Sequence, residues 1–139
     1  MVDFFGLTHS GSRGRVLVVD DEADVRKAVN LALTKSGYDV IEADDGKKAV
    51  EVINSGDNAL CVDVVICDIR MPRVNGVEAI AYFRREFPTL PVIVLTGFPD
   101  VQLATSLLKQ GVADYVVKPV ERDTLAAAVE AAMRHYSRV

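Results

Sequence analysis

The chain has 139 residues, half of them hydrophobic, which is enough apolar surface for one domain with a real core. Its 16 basic and 20 acidic residues leave a net charge of −4, so no broad basic field exists to hold a nucleic-acid backbone, and intrinsic nucleic-acid binding is not expected. No apolar run approaches the roughly 18 residues of a membrane span, and Met1 to Gly14 lacks the basic start and hydrophobic stretch of a signal peptide, which predicts a cytoplasmic protein without membrane contact.

Residues 1–13, with Gly6, Gly11 and Ser12, read as a flexible arm or a cloning remnant ahead of a single domain over 14–137. The first strand is Arg15 to Val19. A helix follows on the stripe Val25, Ala28, Val29, Ala32 and Leu33, spaced i, i+3, i+4, i+7, i+8, with Gly37 at its end. Tyr38 to Ile41 is the second strand, and Ala49, Val50 and Ile53 mark the second helix, closed near Gly56. Asn54 to Cys61 is the longest irregular stretch and is expected to be an exposed loop. Val62 to Cys67 is the third strand, followed by a helix on Val77, Ile80, Ala81 and Phe83. Pro91 to Leu95 is the fourth strand, and the fourth predicted helix carries Val101, Ala104, Leu107 and Leu108, with Gly111 beyond it. Asp114 to Val117 is the fifth strand, and the last helix carries Leu125, Ala128, Val129, Ala132 and Met133. Three strands are almost continuously apolar, as strands covered on both faces are. Alternation of strand and helix five times predicts an α/β fold, a doubly wound five-stranded parallel sheet of flavodoxin-like order 2-1-3-4-5.

The two cysteines, Cys61 and Cys67, lie in an apolar stretch without CxxC spacing or companion histidines; buried reduced thiols are expected rather than zinc ligands or a disulfide. His9 and His135 sit at opposite ends of the chain without acidic or cysteine companions, and neither is given a chemical part.

In an open parallel sheet the functional crevice lies beyond the carboxyl ends of the strands, so the residues ending each strand matter most. Strand one ends in Asp20-Asp21-Glu22, strand three in Asp68, strand four in Thr96-Gly97 and strand five in Lys118-Pro119. These strands are neighbours in the expected order, so three carboxylates, a hydroxyl and an ammonium converge. Two carboxylates about 4 Å apart repel by roughly 4 kcal/mol at an effective dielectric near 20, which calls for compensation. Lys118 offsets one charge, and a cluster of acids suits a hard divalent cation that keeps water and phosphate oxygens among its ligands. An aspartate can also act as the nucleophile that forms an acyl phosphate.

The segments Val18-Val-Asp-Asp-Glu22, Cys67-Asp-Ile-Arg-Met-Pro72 with Gly76, Val94-Leu-Thr-Gly97 and Val117-Lys-Pro119 together resemble the signature of two-component response-regulator receiver domains, over about Gly14 to Tyr136. The resemblance implies that Asp68 is the phosphoacceptor and that Mg²⁺ or Mn²⁺ is bound directly by Asp21 and Asp68, by Asp20 mainly through water, and by the backbone carbonyl of Arg70. It implies that the Thr96 hydroxyl turns toward the phosphoryl group, that Lys118 pairs with a phosphoryl oxygen, and that Tyr115 is an aromatic switch coupled to Thr96. It also implies a cis Lys118-Pro119 bond. The phosphoryl group would come from a phosphohistidine on a histidine kinase or a histidine phosphotransfer protein, and the domain would catalyse only its own modification, as a switch rather than an enzyme. The face formed by the fourth predicted helix, strand five and the last helix, with Leu103, Lys109, Asp114, Tyr115 and Arg122, is where a downstream output domain or a second receiver is expected to bind. Helix five leaves only Ser137-Arg-Val139 after it, so no output domain is expected within these residues; whether the protein is free-standing or a domain of a larger one stays open.

Two positions depart from the commonest pattern. Gly97 follows the threonine where a small residue such as Ala is frequent, which should open the mouth of the pocket and free its backbone. The Arg70 side chain, two residues beyond the nucleophile, could reach over the pocket and alter hydrolysis of the adduct. Plainer readings exist for each residue: Asp20 and Asp21 as helix caps, Asp68 as a loop acid before a turn, Thr96 as a cap, Lys118 as a surface lysine, and Tyr115 as an ordinary half-buried aromatic. Their joint appearance at neighbouring strand ends weighs against these. A flavodoxin-like redox module would need a phosphate cradle after strand one, where Asp20-Asp-Glu-Ala-Asp24 would repel a flavin phosphate. A phosphatase of the haloacid-dehalogenase type would need its nucleophile after strand one in an Asp-x-Asp pattern, which is absent.

Overall fold

The computed structural model describes residues 11–69 and 76–135. Five strands, β1 (Arg15–Val19), β2 (Asp39–Ala43), β3 (Val62–Cys67), β4 (Val92–Thr96) and β5 (Asp114–Val117), form one parallel sheet in the order β2-β1-β3-β4-β5. Six helices accompany them: α1 (Ala23–Lys35), α2 (Gly46–Ile53), α3 (Asn58–Cys61), α4 (Gly76–Glu86), α5 (Val101–Lys109) and α6 (Arg122–His135). The α/β class and strand order are those the alternation predicted. The fourth and last predicted helices are therefore α5 and α6.

Alternate residues of each strand face opposite sides, and the core divides accordingly. Leu17, Val19, Val65, Cys67, Val92 and Val94 pack with Ile53 of α2, Ile80 and Phe83 of α4, and Leu107 of α5. Val16, Val18, Val64, Ile66, Ile93 and Leu95 pack with Val29 and Leu33 of α1 and Leu125 and Val129 of α6. The central strands β1, β3 and β4 are buried almost throughout, whereas the edge strands β2 and β5 are only partly covered. That difference is why the central three read as almost continuous apolar runs.

The loop expected over Asn54 to Cys61 is corrected: its second half folds into α3. The Leu60 and Cys61 N–H groups both donate to the Asp57 carbonyl, and Asn58 Nδ2 donates to the Val52 carbonyl at 2.8 Å, so local hydrogen bonds close a turn too short to show periodicity. Asp45 and Asp100 cap α2 and α5 by accepting the Lys48 and Leu103 N–H groups at 2.7 and 3.0 Å. The α1 N-cap residue, Glu22, makes no such side-chain bond. Among the described residues no helix is long and apolar enough to cross a membrane.

Candidate phosphoacceptor and cation site

The ladder of the sheet continues one residue past three strand ends, and this is what gathers the chemistry. The Asp20 N–H donates to the Ala43 carbonyl at 3.1 Å, the Asp68 N–H to the Val19 carbonyl at 2.9 Å, and the Lys118 N–H to the Thr96 carbonyl at 2.7 Å. Asp20 and Asp68 are thereby held at adjacent strand ends and are only 2% and 4% exposed, deeper than carboxylates ordinarily lie. Lys118 Nζ crosses to them and bonds Asp20 Oδ2 at 2.6 Å and Asp68 Oδ2 at 3.1 Å, with Glu22 Oε1 at 3.8 Å.

Carboxylate oxygens of Asp20, Asp21, Glu22 and Asp68 all lie within 4.8 Å of one another. Among the described residues four oxygen-bearing acids gather around the Lys118 ammonium in a small volume. An all-oxygen donor set of this kind fits a hard divalent cation. Two of its members are buried and two, Asp21 and Glu22, are exposed, so the set is open on one side to water and to an incoming group. Glu22 was not singled out as a cation-site residue from sequence, although its place directly after Asp20-Asp21 was the available signal.

Titration behaviour follows the same asymmetry. Burial pushes the Asp20 carboxyl above its ordinary value, against the opposing hydrogen bonds from Lys118 and the Glu22 N–H, and the nearby Asp68 charge adds to the rise. For Lys118 burial works downward, yet the two carboxylates it faces outweigh burial and raise it. Cys67, wholly buried beneath the site, is raised by burial and by the acids above it, so its thiol stays protonated.

Thr96 ends β4 fully buried, and its Oγ1 accepts the Phe98 N–H at 3.1 Å. The Tyr115 hydroxyl accepts the Asp100 N–H at 3.3 Å, so in this arrangement it engages the start of α5 and not the Thr96 hydroxyl. The Lys118-Pro119 bond is cis. A methyl group on Gly97 would meet only Lys118 Cδ at 3.9 Å, an ordinary contact, so the open mouth expected of glycine is not a steric requirement. Gly76 is different: a Cβ there would lie 1.9 Å from the Asp68 carbonyl oxygen and 2.4 Å from Ile69 Cα. The start of α4 thus presses directly on the backbone that carries Asp68, a contact the sequence motif contains but does not explain. Arg70, Met71-Pro72, Asn75 and His9 lie outside the described residues, as does most of the expected N-terminal arm.

Beside Lys118 an apolar groove of about 420 Å³ runs between α1 and the residues after β5, lined by Val25, Ala28, Val29, Leu95, Pro119 and Val120. On the other side of the site, four of the seven exposed large hydrophobics among the described residues, Phe98, Val101, Leu108 and Val117, belong to α5, β5 and the loop before α5.

A flavodoxin-like sheet with buried acids, a threonine and a lysine at its carboxyl edge defines the class of receiver-type folds. The family model described as response regulator receiver domain matches residues 16–130, and the chain belongs to that family of two-component signalling proteins. Among curated relatives it is 36% identical over 124 residues to the DNA-binding transcriptional regulator NtrC of Escherichia coli (strain K12), covering 89% of this chain and 26% of that protein. It is 32% identical over 123 residues to the transcriptional regulatory protein FixJ of Bradyrhizobium diazoefficiens, covering 88% of this chain and 58% of the relative. The chain therefore spans about a quarter of the first and somewhat over half of the second. A response regulator receiver domain protein from Clostridium thermocellum superposes with a TM-score of 0.82 at 29% identity, covering 88% of this chain and 95% of that one.

Proposed function

We propose that this domain takes a phosphoryl group from a phosphohistidine of a histidine kinase or histidine phosphotransfer protein onto Asp68, and that the adduct shifts the balance between two arrangements of α5, β5 and α6. The observation that carries the reading is the meeting of Asp20 and Asp68 on Lys118 Nζ inside a four-carboxylate cluster.

In the transfer a carboxylate oxygen of Asp68 attacks phosphorus as the P–N bond breaks, and the electron pair of that bond stays on the imidazole nitrogen. Asp20, Asp21 and Asp68, with the Arg70 carbonyl that the resemblance implies, would hold Mg²⁺ or Mn²⁺, which would supply positive charge against the repulsion between these acids and an anionic phosphoryl group. Asp68 is aligned by its backbone bond to Val19 and by Gly76 behind it. Lys118 releases Asp68 and pairs with a phosphoryl oxygen, a move its flexible stem permits. Thr96 exchanges its bond from the Phe98 N–H for a bond it donates to the phosphoryl group, which draws the loop after β4 inward.

Tyr115 is the second half of the switch. Its hydroxyl holds the N-terminal residue of α5, so a moved loop and the Tyr115 ring cannot both keep their present places. Adding about two negative charges at Asp68 stabilises the arrangement in which Thr96 and Lys118 have phosphoryl partners. The readable surface comprises Leu103, Lys109, Asp114, Tyr115 and Arg122 with the exposed Phe98, Val101, Leu108 and Val117, and it suits an output domain or a second receiver. The domain modifies only itself, binds no nucleic acid through its own surface and works in the cytoplasm. The relatives' DNA-binding activity is named for proteins longer than this chain.

Incubation with acetyl phosphate and Mg²⁺, followed by intact mass, tests the reading. Wild type is expected to gain the mass of one phosphoryl group, only with Mg²⁺, and Asp68→Asn to gain none. Equal labelling of both proteins would remove Asp68 from the mechanism.

A further inference from the structure

Arg26 lies on α1, outside the acid cluster, and two of its nitrogens are committed in different directions. Nη1 donates to the backbone carbonyl of Asp20 at 2.8 Å, and Nε donates to Glu42 Oε1 at 3.1 Å on the edge strand β2. Glu42 Oε2 accepts Asn30 Nδ2 at 2.7 Å, and Asn30 Oδ1 accepts Thr34 Oγ1 at 2.9 Å. A chain of side chains along α1 and β2 therefore ends on one peptide oxygen of the acidic turn.

That oxygen is well placed to matter. Asp20 is anchored at its N–H by Ala43, at Oδ1 by the Glu22 N–H at 2.9 Å, and at Oδ2 by Lys118. The Glu22 bond closes a turn around the peptide between Asp20 and Asp21, and the Arg26 bond alone of these four holds that peptide by its own oxygen. Asp21 is exposed and makes no hydrogen bond or ion pair of its own among the described residues. Rotation of the plane about its two flanking torsions would swing the Asp21 carboxylate away from Asp20 and Asp68. The ion pair with Glu42 is partly exposed and by itself stabilises little, so its use is to aim the guanidinium. Arginine suits this task because its planar fork donates along two fixed directions at once, which a lysine cannot do.

We propose that Arg26, aimed by Glu42, is a positioning residue for the divalent-cation site: it fixes the Asp20–Asp21 peptide so that Asp21 faces Asp20 and Asp68. This rests on the cation-assisted reading above. Groups that orient metal ligands typically change affinity by about 10- to 100-fold when removed. A carbonyl clamp with other anchors nearby belongs at the lower end.

Mn²⁺ binding to the full chain, followed by the electron paramagnetic resonance of the free ion, tests this for wild type, Asp21→Asn, Arg26→Met, Arg26→Lys and Glu42→Gln, with metal-free thermal melts alongside. Arg26→Met is expected to raise the Mn²⁺ Kd about tenfold, Glu42→Gln about threefold, and Arg26→Lys by an amount between wild type and Arg26→Met. At saturating Mg²⁺ the labelling rate of Asp68 should stay within about twofold of wild type, since the acids and Lys118 are intact. If Arg26→Met melts earlier yet binds Mn²⁺ like wild type, Arg26 is only a brace and the inference fails while the functional reading stands. Should Arg26→Met not fold, Glu42→Gln decides by the same measurement, and an unchanged Kd in that variant also overturns the inference. A wild type that binds no Mn²⁺, or binds it equally well with Asp21→Asn, overturns the cation site and this inference together.

Discussion

The two ends of the sheet treat their acids in opposite ways. Where the strands begin, Arg15 gives its backbone N–H to Asp63 at 2.9 Å and its guanidinium to Asp57 and Asn58 at 2.8 and 2.9 Å. Glu130 nearby meets Arg13 at 3.3 Å, and Arg13 also lies over the Tyr38 ring. Where the strands end, Asp20, Asp21, Glu22 and Asp68 cluster around the Lys118 ammonium. At the first end each of these acids has an arginine as its donor. At the other, four carboxylates share the Lys118 ammonium among the described residues, an arrangement that an added cation would relieve. The comparison teaches that acids spread among arginine donors brace the fold, whereas acids crowded on one lysine suit the cation-binding role proposed for them.

The largest expected effect strikes the point where the fold presses on the open end. Gly76→Ala has no room, because its Cβ would sit against the Asp68 carbonyl and Ile69 Cα, both backbone. A loss of about 3 kcal/mol is expected in a urea melt, with weakened cation binding because Asp68 must shift. Gly97→Ala is the control, expected to stay within about 0.5 kcal/mol of wild type since it makes only ordinary contact with Lys118. Equal stabilities for the two variants would show that α4 does not buttress Asp68.

Removing the one ammonium sharpens the contrast next. Lys118→Met takes the shared ammonium away from two buried carboxylates, and a loss of roughly 2 kcal/mol is expected in metal-free buffer at neutral pH. Mg²⁺ should then raise the melting temperature of the variant more than that of wild type, because it no longer displaces a resident lysine. Phosphoryl labelling should slow sharply despite the bound cation. A variant as stable as wild type without metal would mean that the acids are not charged together.

How far these contrasts were legible in the sequence depends on how local their causes are. Val62 to Cys67 announced itself as a buried strand because every residue but Asp63 avoids water, and Asp68 followed it directly. Asp20, Asp68, Thr96 and Lys118 could be brought to one edge on paper because strand order alone dictates which strand ends are neighbours. Helix α3 was not legible, since four residues are too few for a period and its cause is a set of bonds to Asp57. The Gly76 contact with Asp68, the Tyr115 bond at Asp100 and the Arg26 bond at Asp20 each join residues from different segments, and a linear pattern carries no sign of them. The depth of Asp20 and Asp68 was likewise hidden, because burial of a carboxylate is decided by the neighbours folded over it.

The smallest effects test the comparison by sign. Burial holds the Asp20 carboxyl above its ordinary value, so its folded form binds a proton more readily than its unfolded form. Stability is therefore lost as pH rises from about 3.8 through the raised value, and the cost is present above it. Asp20→Asn removes that cost while keeping an acceptor for the Glu22 N–H, so a gain of about 1 kcal/mol is expected at pH 7 without metal, shrinking to nothing at acid pH, together with weaker Mg²⁺ binding. Asp57 runs the other way. The Arg15 hydrogen bond, helped by that from Cys61, holds its carboxyl below the ordinary value, so the stability it contributes is present above about 3.8 and lost as pH falls through the lowered one. Asp57→Asn should lower the melting temperature at pH 7 by about one degree, because the pair is exposed, and this loss too should vanish at acid pH. Thermal melts of both variants from neutral pH down to pH 2 check the two together. Shifts of opposite sign at neutrality that converge on wild type in acid are the expected outcome, and shifts of the same sign would mean that the two edges do not differ in how they carry charge.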